Sequence, residues 1–421
     1  MSKTNLFNLC RSLSETINSK SFLETARKSV FSFIRKRKMP FCDILCFIVS
    51  SANRCLQAEL DDYFFKKDEE TVTRQAFSKS RENIRHEAFI DLNDLLIQKF
   101  EREDGEIETC RGYRLFSADG TLIDLPNTRL LRERFGFSSN SSDKAYAKGL
   151  AITAFDVLNK LTVFSELYRY DDSEKRRILD IVDGFKALGS YPKSIWLLDR
   201  GYPSFELFNR FENNAQNFLV RVSAQSLKEI NGVNECEKYI SVTRKNITIS
   251  LRVVNIKLPN GETEKLVTNL PAEFSLDDLA ELYAKRWGIE TNYLFLKKKV
   301  ILEVFTGETI TAVLQDFHAA ILVLNIAAIA QREQEDILQN GNKHKNLKCE
   351  YHPSKSKLIA DIKRDFAKLM IIDNPLNRIF KQFVLYANIR RYAYHAEPDR
   401  NFIRRLSSYH NHRCPHPKSS L

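Results

Sequence analysis

Asp119 and Asp199 are the residues of this 421-residue chain whose placement most needs a chemical explanation. Asp119 closes the strand-like run Tyr113 to Ala118, in the string FSADGT, with Gly120 behind it to allow a tight turn. Asp199 follows four uninterrupted apolar residues, Ile195 to Leu198, in WLLDRGY. A carboxylate in such a setting is costly to desolvate unless it meets a cation or a hydrogen-bond donor. For either residue alone, a turn or a helix cap is the simpler reading. Two carboxylates at the ends of different strands of one sheet are brought together by the sheet, and a divalent cation resolves their repulsion.

A third acid comes from a helix. Tyr283, Arg286, Glu290 and Lys297 are spaced by 3, 4 and 7 residues, so at about 3.6 residues per turn they share one narrow stripe. Arg286 and Glu290 are an i, i+4 pair and could belong to a salt-bridged solvent face. The neighbours Trp287, Ile289, Tyr293, Leu294, Phe295 and Leu296 are apolar or aromatic, which points instead to a polar stripe on a mostly buried helix.

The elements that must position these side chains follow from periodicity. Tyr113–Ala118, Leu150–Phe155 and Leu161–Leu167 read as successive strands, with Asn159-Lys160 turning between the last two. A helix is expected from Ser173 to about Leu188, with Glu174 in its first turn. Next comes the buried strand Ile195–Leu198, flanked by Pro192 and Gly201. Pro203 opens a further helix, and Phe218–Val222 is a further strand. Three strands, a helix, then alternating strand and helix is the order of an RNase H-like α/β core. A β-rich stretch (Ile240–Thr243, Ile247–Ile256, Leu266–Asn269, with a Pro259-Asn260-Gly261 turn) interrupts that order. Ser275 and Asp278 then form a capping box for a helix through Lys299. The expected fold class is thus α/β: an RNase H-like mixed-sheet core with a β-rich insertion before the last catalytic helix, plus helical N-terminal and C-terminal regions. The expected divisions are a helical DNA-binding region 1–105, a core 106–310 interrupted by 223–274, and a helical region 311–421 with a basic tail.

Charge is unevenly placed. Of the net +11, residues 1–38 carry +7 and residues 381–421 carry +6, leaving the middle at −2. Basic ends on a near-neutral body suit a polyanion partner, because contacted phosphates release counterions; basic tails that merely aid solubility fit charge alone equally well. Within the run from Thr73 to Phe100, read as one capped helix, Arg74, Lys79, Arg81 and Arg85 would form a basic surface, a DNA-end reader or a solvated face. The eight cysteines form no C-x-x-C pair and fit reduced thiols of a cytoplasmic protein. His410, His412, Cys414 and His416 alternate beside two prolines and fit a solvated tail better than a metal site. No run approaches about 18 uninterrupted apolar residues, no secretory signal is evident, and Ala319–Ala330 reads as a buried helix; no membrane partner is expected.

The string Y-x2-R-x3-E-x6-K at Tyr283, Arg286, Glu290 and Lys297 resembles the signature of the bacterial insertion-sequence-4 family of DDE transposases. DGT at Asp119 and DRGY at Asp199 resemble that family's first two acidic motifs, and the β-rich stretch lies where the family carries one. The similarity spans roughly residues 70 to 400. It implies that Asp119, Asp199 and Glu290 are catalytic and hold two Mg2+ ions, with Mn2+ able to substitute. It implies that Arg286 and Lys297 neutralise phosphates and that Tyr283 hydrogen-bonds one. It also implies double-stranded DNA partners, terminal inverted repeats and target, and a homodimer in the synaptic complex. Arg200 is a further phosphate candidate or a partner for Asp199. Trp287 could stack on an extruded base, though core packing is the first expectation. Asp124 ranks below Asp119 because it falls on the opposite strand face, and Asp156 is expected in a turn. The rival reading is a catalytically silent or domesticated DNA-binding descendant.

Overall fold

Apolar residues at helical spacing over the first hundred positions form α1 (Leu6–Ile17), α2 (Lys20–Ala26), α3 (Phe41–Ser50), α4 (Leu56–Phe65), α5 (Arg74–Arg81) and α6 (Glu87–Glu103). This is a computed structural model; it describes residues 6–51, 54–103, 107–139, 145–187, 191, 193–223, 226–257, 261–300, 303–342, 350–370 and 391–394. Ser19 and Thr73 cap α2 and α5 by accepting from the Phe22 and Ala76 amides. The run from Thr73 is two helices rather than one. The Asn83 side chain takes the Lys79 carbonyl, and the Arg85 amide donates to the Ala26 carbonyl at 2.8 Å, which diverts the backbone from the helix.

The sheet is built from β1 (Arg114–Asp124), β2 (Phe137–Ser139) after the short α7 (Arg129–Phe135), β3 (Ala145–Asp156) and β4 (Leu161–Arg169). Then follow α8 (Glu174–Ala187), β5 (Ser194–Leu198), α9 (Phe205–Asn213), β6 (Asn217–Arg221) and the one-turn α10 (Lys228–Asn231). β7 (Glu237–Arg244), β8 (Ile247–Lys257) and β9 (Thr263–Thr268) complete it. The order is β2-β3-β1-β5-β6-β9-β8-β7, with β4 also paired to β3. β1, β5 and β6 are parallel, whereas β9 returns antiparallel along β6. The core is a mixed α/β sheet with the strand order expected for the RNase H-like class, and the β-rich insertion prolongs the same sheet. The turn at Asn159-Lys160 is present, with Lys160 at φ 58°. Pro192, Pro259 and Asn260 lie outside the described residues, as do residues 395–421, where the His/Cys tail falls.

Strand alternation sends side chains to two apolar layers. Phe116, Trp196, Leu198 and Phe218 pack against Ile178, Val182 and Phe185 of α8 and Leu207, Phe208 and Phe211 of α9. Leu115, Ile195, Leu197 and Leu219 pack with Leu279, Leu282 and Tyr283 of α11 (Leu276–Ala284). The Ser275–Asp278 capping box that starts α11 is formed. The expected continuous helix is broken after it by a 3-10 turn, Lys285–Trp287, before α12 (Gly288–Lys298).

The chain ends in α13 (Ile310–Asn342), β10 (Glu350–Pro353), α14 (Lys355–Met370) and β11 (Arg391–Tyr394). Two compact units result: residues 106–123 with 132–294, and residues 1–105 with 124–131 and 295–421. α13 is long and apolar enough to cross a membrane, but 94% of its most apolar window is buried within the structure. Arg81, expected on a basic surface, is 1% exposed. Its guanidinium donates to Gln315, Thr306 and Asp316 at 2.7–2.8 Å and to the Ala312 carbonyl at 3.2 Å. Gln315 in turn donates to the Arg81 and Ile84 carbonyls.

Replacing Arg81 with Met leaves Asp316 without its cation among buried neighbours, a loss on the order of 3–5 kcal/mol. Urea unfolding should therefore show a large fall in midpoint for Arg81→Met. A fall no larger than that of the solvent-facing Arg74→Met would refute the lock.

Candidate active site

β1 and β5 pair in parallel with a constant register that ends at Ser117 opposite Leu197. Two residues further along each chain stand Asp119 and Asp199: Asp199 follows the last residue of β5, whereas β1, expected to close before Asp119 with a tight turn at Gly120, runs on through Asp124 and leaves Asp119 mid-strand. Neighbouring strands lie about 4.8 Å apart, so the ladder that ends at Ser117 and Leu197 leads the two chains to these residues from adjacent positions.

Each carboxylate already has a protein donor. The Tyr202 hydroxyl donates to Asp119 Oδ1 at 2.9 Å, and the Tyr293 hydroxyl donates to the Asp119 carbonyl at 2.5 Å. The Tyr202 hydroxyl also touches Glu174 Oε1 of α8. Burial pushes the Asp119 carboxyl up to about 6, with the Glu174 charge adding to the rise; Tyr202, the Gly120 amide and Arg286 oppose it. Asp199 accepts a long bond from the Tyr283 hydroxyl, 3.4 Å. Glu290, 43% exposed, accepts from Arg286 at 2.9 Å.

Arg286 connects the three acids. Its side chain is 5% exposed and its Nε has no hydrogen-bond partner. Burial works against its charge, yet Tyr283, Asp199 and Glu290 together hold it above the usual arginine value, and Asp119 feels it as well. Tyr283 and Arg286 flank the start of the 3-10 turn, where residues three apart eclipse, and the guanidinium lies 5.8 Å from the Tyr283 ring centroid. Glu264 of β9 borders the same charges: burial raises its pKa and Asp199 adds to the rise, while Arg221, ion-paired at 3.0 Å, and Arg286 oppose it.

The structure thus brings Asp119, Asp199, Tyr283, Arg286 and Glu290 into one charge system. Among the described residues, no three His, Cys, Asp or Glu side chains stand ready to hold an ion as they are posed. Lys297 belongs to the other compact unit, 3.9 Å from Glu303. Arg200 is exposed on the turn after β5. Trp287, expected in the core, is 45% exposed. Three residues at the tighter 3-10 pitch rotate the chain by about 60° relative to an α-helix, which carries Trp287 out of the buried face. Its ring lies 5.3 Å from the Arg286 guanidinium. Asp156, expected in a turn, is instead the last residue of β3, opposite Leu161; it is fully buried, paired with Arg114 at 2.8 Å and accepting from the Asn159 amide. Sequence reading missed Tyr293, Glu264 and the role of Glu174, whose only signal was its place in a first helical turn; Tyr202 was visible as the last letter of DRGY.

Residues 111–326, just over half of the chain, match the family described as Transposase DDE domain. The chain belongs to this transposase family. The match contains Asp119, Asp199 and Glu290 and the helix that carries Tyr283 and Arg286. A probable transposase for insertion sequence element IS5377 of Geobacillus stearothermophilus is 26% identical over 136 residues, which are 30% of this chain and 36% of that protein. The transposase chain therefore spans about a third of the curated relative's length. Among solved structures, a chain of the piggyBac transposase synaptic complex with hairpin DNA aligns at 11% identity and TM-score 0.46, over 90% of this chain and 85% of that one.

A carboxyl whose pKa is raised in the fold binds its proton more tightly folded than unfolded. The stability it removes is absent below an unfolded value of about 3.9 and is fully removed above about 6. In EDTA, melting temperature should fall as pH rises through that window, and Asp119→Asn should flatten the fall. An unchanged slope in the variant would show that Asp119 is not the titrating group.

Proposed function

We propose that this protein is a DNA transposase of an insertion sequence, which cuts the ends of its element and joins them to target DNA by metal-dependent phosphoryl transfer. The supporting observation is the shared charge system: two Asp residues just beyond the last pair of one ladder and a Glu on the facing helix, all acting on buried Arg286. Such a surplus of carboxylate over cation fits a divalent ion. The donors are hard oxygens, and burial, with the Glu174 charge adding to it, disfavours a bare Asp119 carboxylate, which a cation would relieve. Asp119, Asp199 and Glu290 are the residues that would hold Mg2+, or Mn2+ in its place, once Glu290 leaves Arg286 and Asp199 leaves Tyr283. Two such ions supply Lewis-acid activation of the attacking oxygen and stabilisation of the leaving one.

The other residues are assigned to the DNA. Arg286, released from Glu290, offers a planar fork to a phosphate at the cleaved end, and its orphaned Nε gains a partner there. Tyr283 donates to a backbone phosphate, Lys297 and exposed Arg200 add positive charge along it, and half-exposed Trp287 meets a base. The spacing of Tyr283, Arg286, Glu290 and Lys297 supports the insertion-sequence-4 group as the reading. Its partners are terminal inverted repeats and target duplex, bound by a homodimer in the synaptic complex.

Strand cleavage of a terminal-repeat duplex with Mg2+ tests the assignment. Asp119→Asn, Asp199→Asn and Glu290→Gln should each lose roughly a thousand-fold in rate, about 4 kcal/mol of transition-state stabilisation, while a gel shift keeps duplex binding. Undiminished cutting by Glu290→Gln would remove that residue from the site. A wild type that binds the duplex but never cuts it would favour a silent descendant.

A further inference from the structure

The contact between Tyr202 and Glu174 has no place in the assignment above, yet it controls one of its carboxylates. The Tyr202 hydroxyl lies within hydrogen-bond distance of both Asp119 and Glu174. A phenol carries one proton, so it can satisfy only one of these acceptors at a time. Nothing about the pair is loose. Tyr202 is buried against the α8 and α9 layer, and its amide donates to the Asp199 carbonyl at 3.2 Å, which ties it to the second Asp. Glu174 lies in the first turn of the fourteen-residue α8, where the helix end favours negative charge. It is pressed over the backbone at Gly120: a Cβ there would come within 2.5 Å of its Oε1 and 2.9 Å of its Cγ. The glycine after Asp119 in the DGT string is therefore the space that Glu174 occupies. The Tyr293 hydroxyl binds the Asp119 carbonyl and does not compete for the side chain.

We propose that Glu174 is a positioning residue that accepts the hydrogen bond of the Tyr202 hydroxyl when Asp119 engages a divalent cation, so that the phenol no longer caps the carboxylate. With the cation absent the hydroxyl is shared. With Asp119 oxygens turned to the cation, the phenol keeps its proton and its place and donates its hydrogen bond to Glu174 alone. Removing the Glu174 charge leaves a weaker neutral acceptor, and the hydroxyl then stays on Asp119, in competition with the ion. This rests on reading Asp119 as a metal carboxylate.

The test is Mn2+ binding to the full chain, followed by electron paramagnetic resonance, beside the Mn2+ dependence of cleavage. Glu174→Gln should raise the Mn2+ concentration for half-saturation about ten-fold, the weight of one charge-assisted hydrogen bond, with kcat at saturating Mn2+ largely kept. In a Tyr202→Phe background no proton remains to compete, and Glu174→Gln should shift half-saturation by no more than about two-fold. An equal shift in both backgrounds would make Glu174 a direct ligand or a bare charge and overturn the proposal. So would no shift in either. Mn2+ binding that is indifferent to Asp119→Asn would instead overturn the metal-site reading, and the role of Glu174 with it. Circular dichroism melts identify any variant whose loss is a loss of folding.

Discussion

Negative charge crowded just beyond the last paired residues of two adjacent parallel strands is the constraint around which this compact unit is arranged. The β1–β5 ladder ends at Ser117 opposite Leu197 and delivers Asp119 and Asp199 two residues beyond that last pair. The protein supplies donors to this charge: the Tyr202 hydroxyl for the Asp119 carboxylate, the Tyr283 hydroxyl for Asp199 and the Arg286 guanidinium for the whole group, while the Tyr293 hydroxyl holds the Asp119 backbone carbonyl. These donors are weak or displaceable, with a 3.4 Å bond to Asp199 and a half-exposed Glu290 on Arg286. A structural ion pair such as Arg114–Asp156 differs in kind. It is buried and braced by the Asn159 amide, and it uses its acid fully. The contrast separates acids that hold the fold from acids kept available for a ligand.

The short DRGY segment links the two halves of this arrangement. Asp199 ends β5, the turn brings the Tyr202 amide back to the Asp199 carbonyl, and the Tyr202 ring then reaches Asp119 on the next strand. One tetrapeptide thereby positions the second acid and restrains the first. The 3-10 turn at Lys285–Trp287 does comparable work on the facing helix, directing Arg286 inward and Trp287 outward.

Asp199 was legible in the sequence because four apolar residues before a charge leave few alternatives, and the start of α11 was legible because Ser275 and Asp278 satisfy a local rule, whereas the turn expected at Gly120 after Asp119 is continuous strand. Residues whose partners lie far along the chain were not. Arg81 has the spacing of a solvent-facing helix residue, and only Thr306, Gln315 and Asp316, more than two hundred positions away, bury it. Glu174 reads as an ordinary first-turn acid until the sheet brings Tyr202 beside it. Trp287 was misplaced because a helical wheel assumes one pitch throughout, and the 3-10 turn changes it. Local chemistry is visible in a string; convergence through a sheet and across helices is visible only once the chain is folded.

The central claim is that Asp119, Asp199 and Glu290 converge on a shared pair of divalent ions when DNA is bound. Anomalous diffraction from crystals of the Mn2+-soaked complex with a terminal duplex tests it directly. The account predicts two manganese peaks roughly 3.5–4 Å apart, ligated by those three carboxylates, with Arg286 turned from Glu290 to phosphate. A manganese ion bound elsewhere, with Asp199 still on Tyr283 and Glu290 still on Arg286, would contradict it.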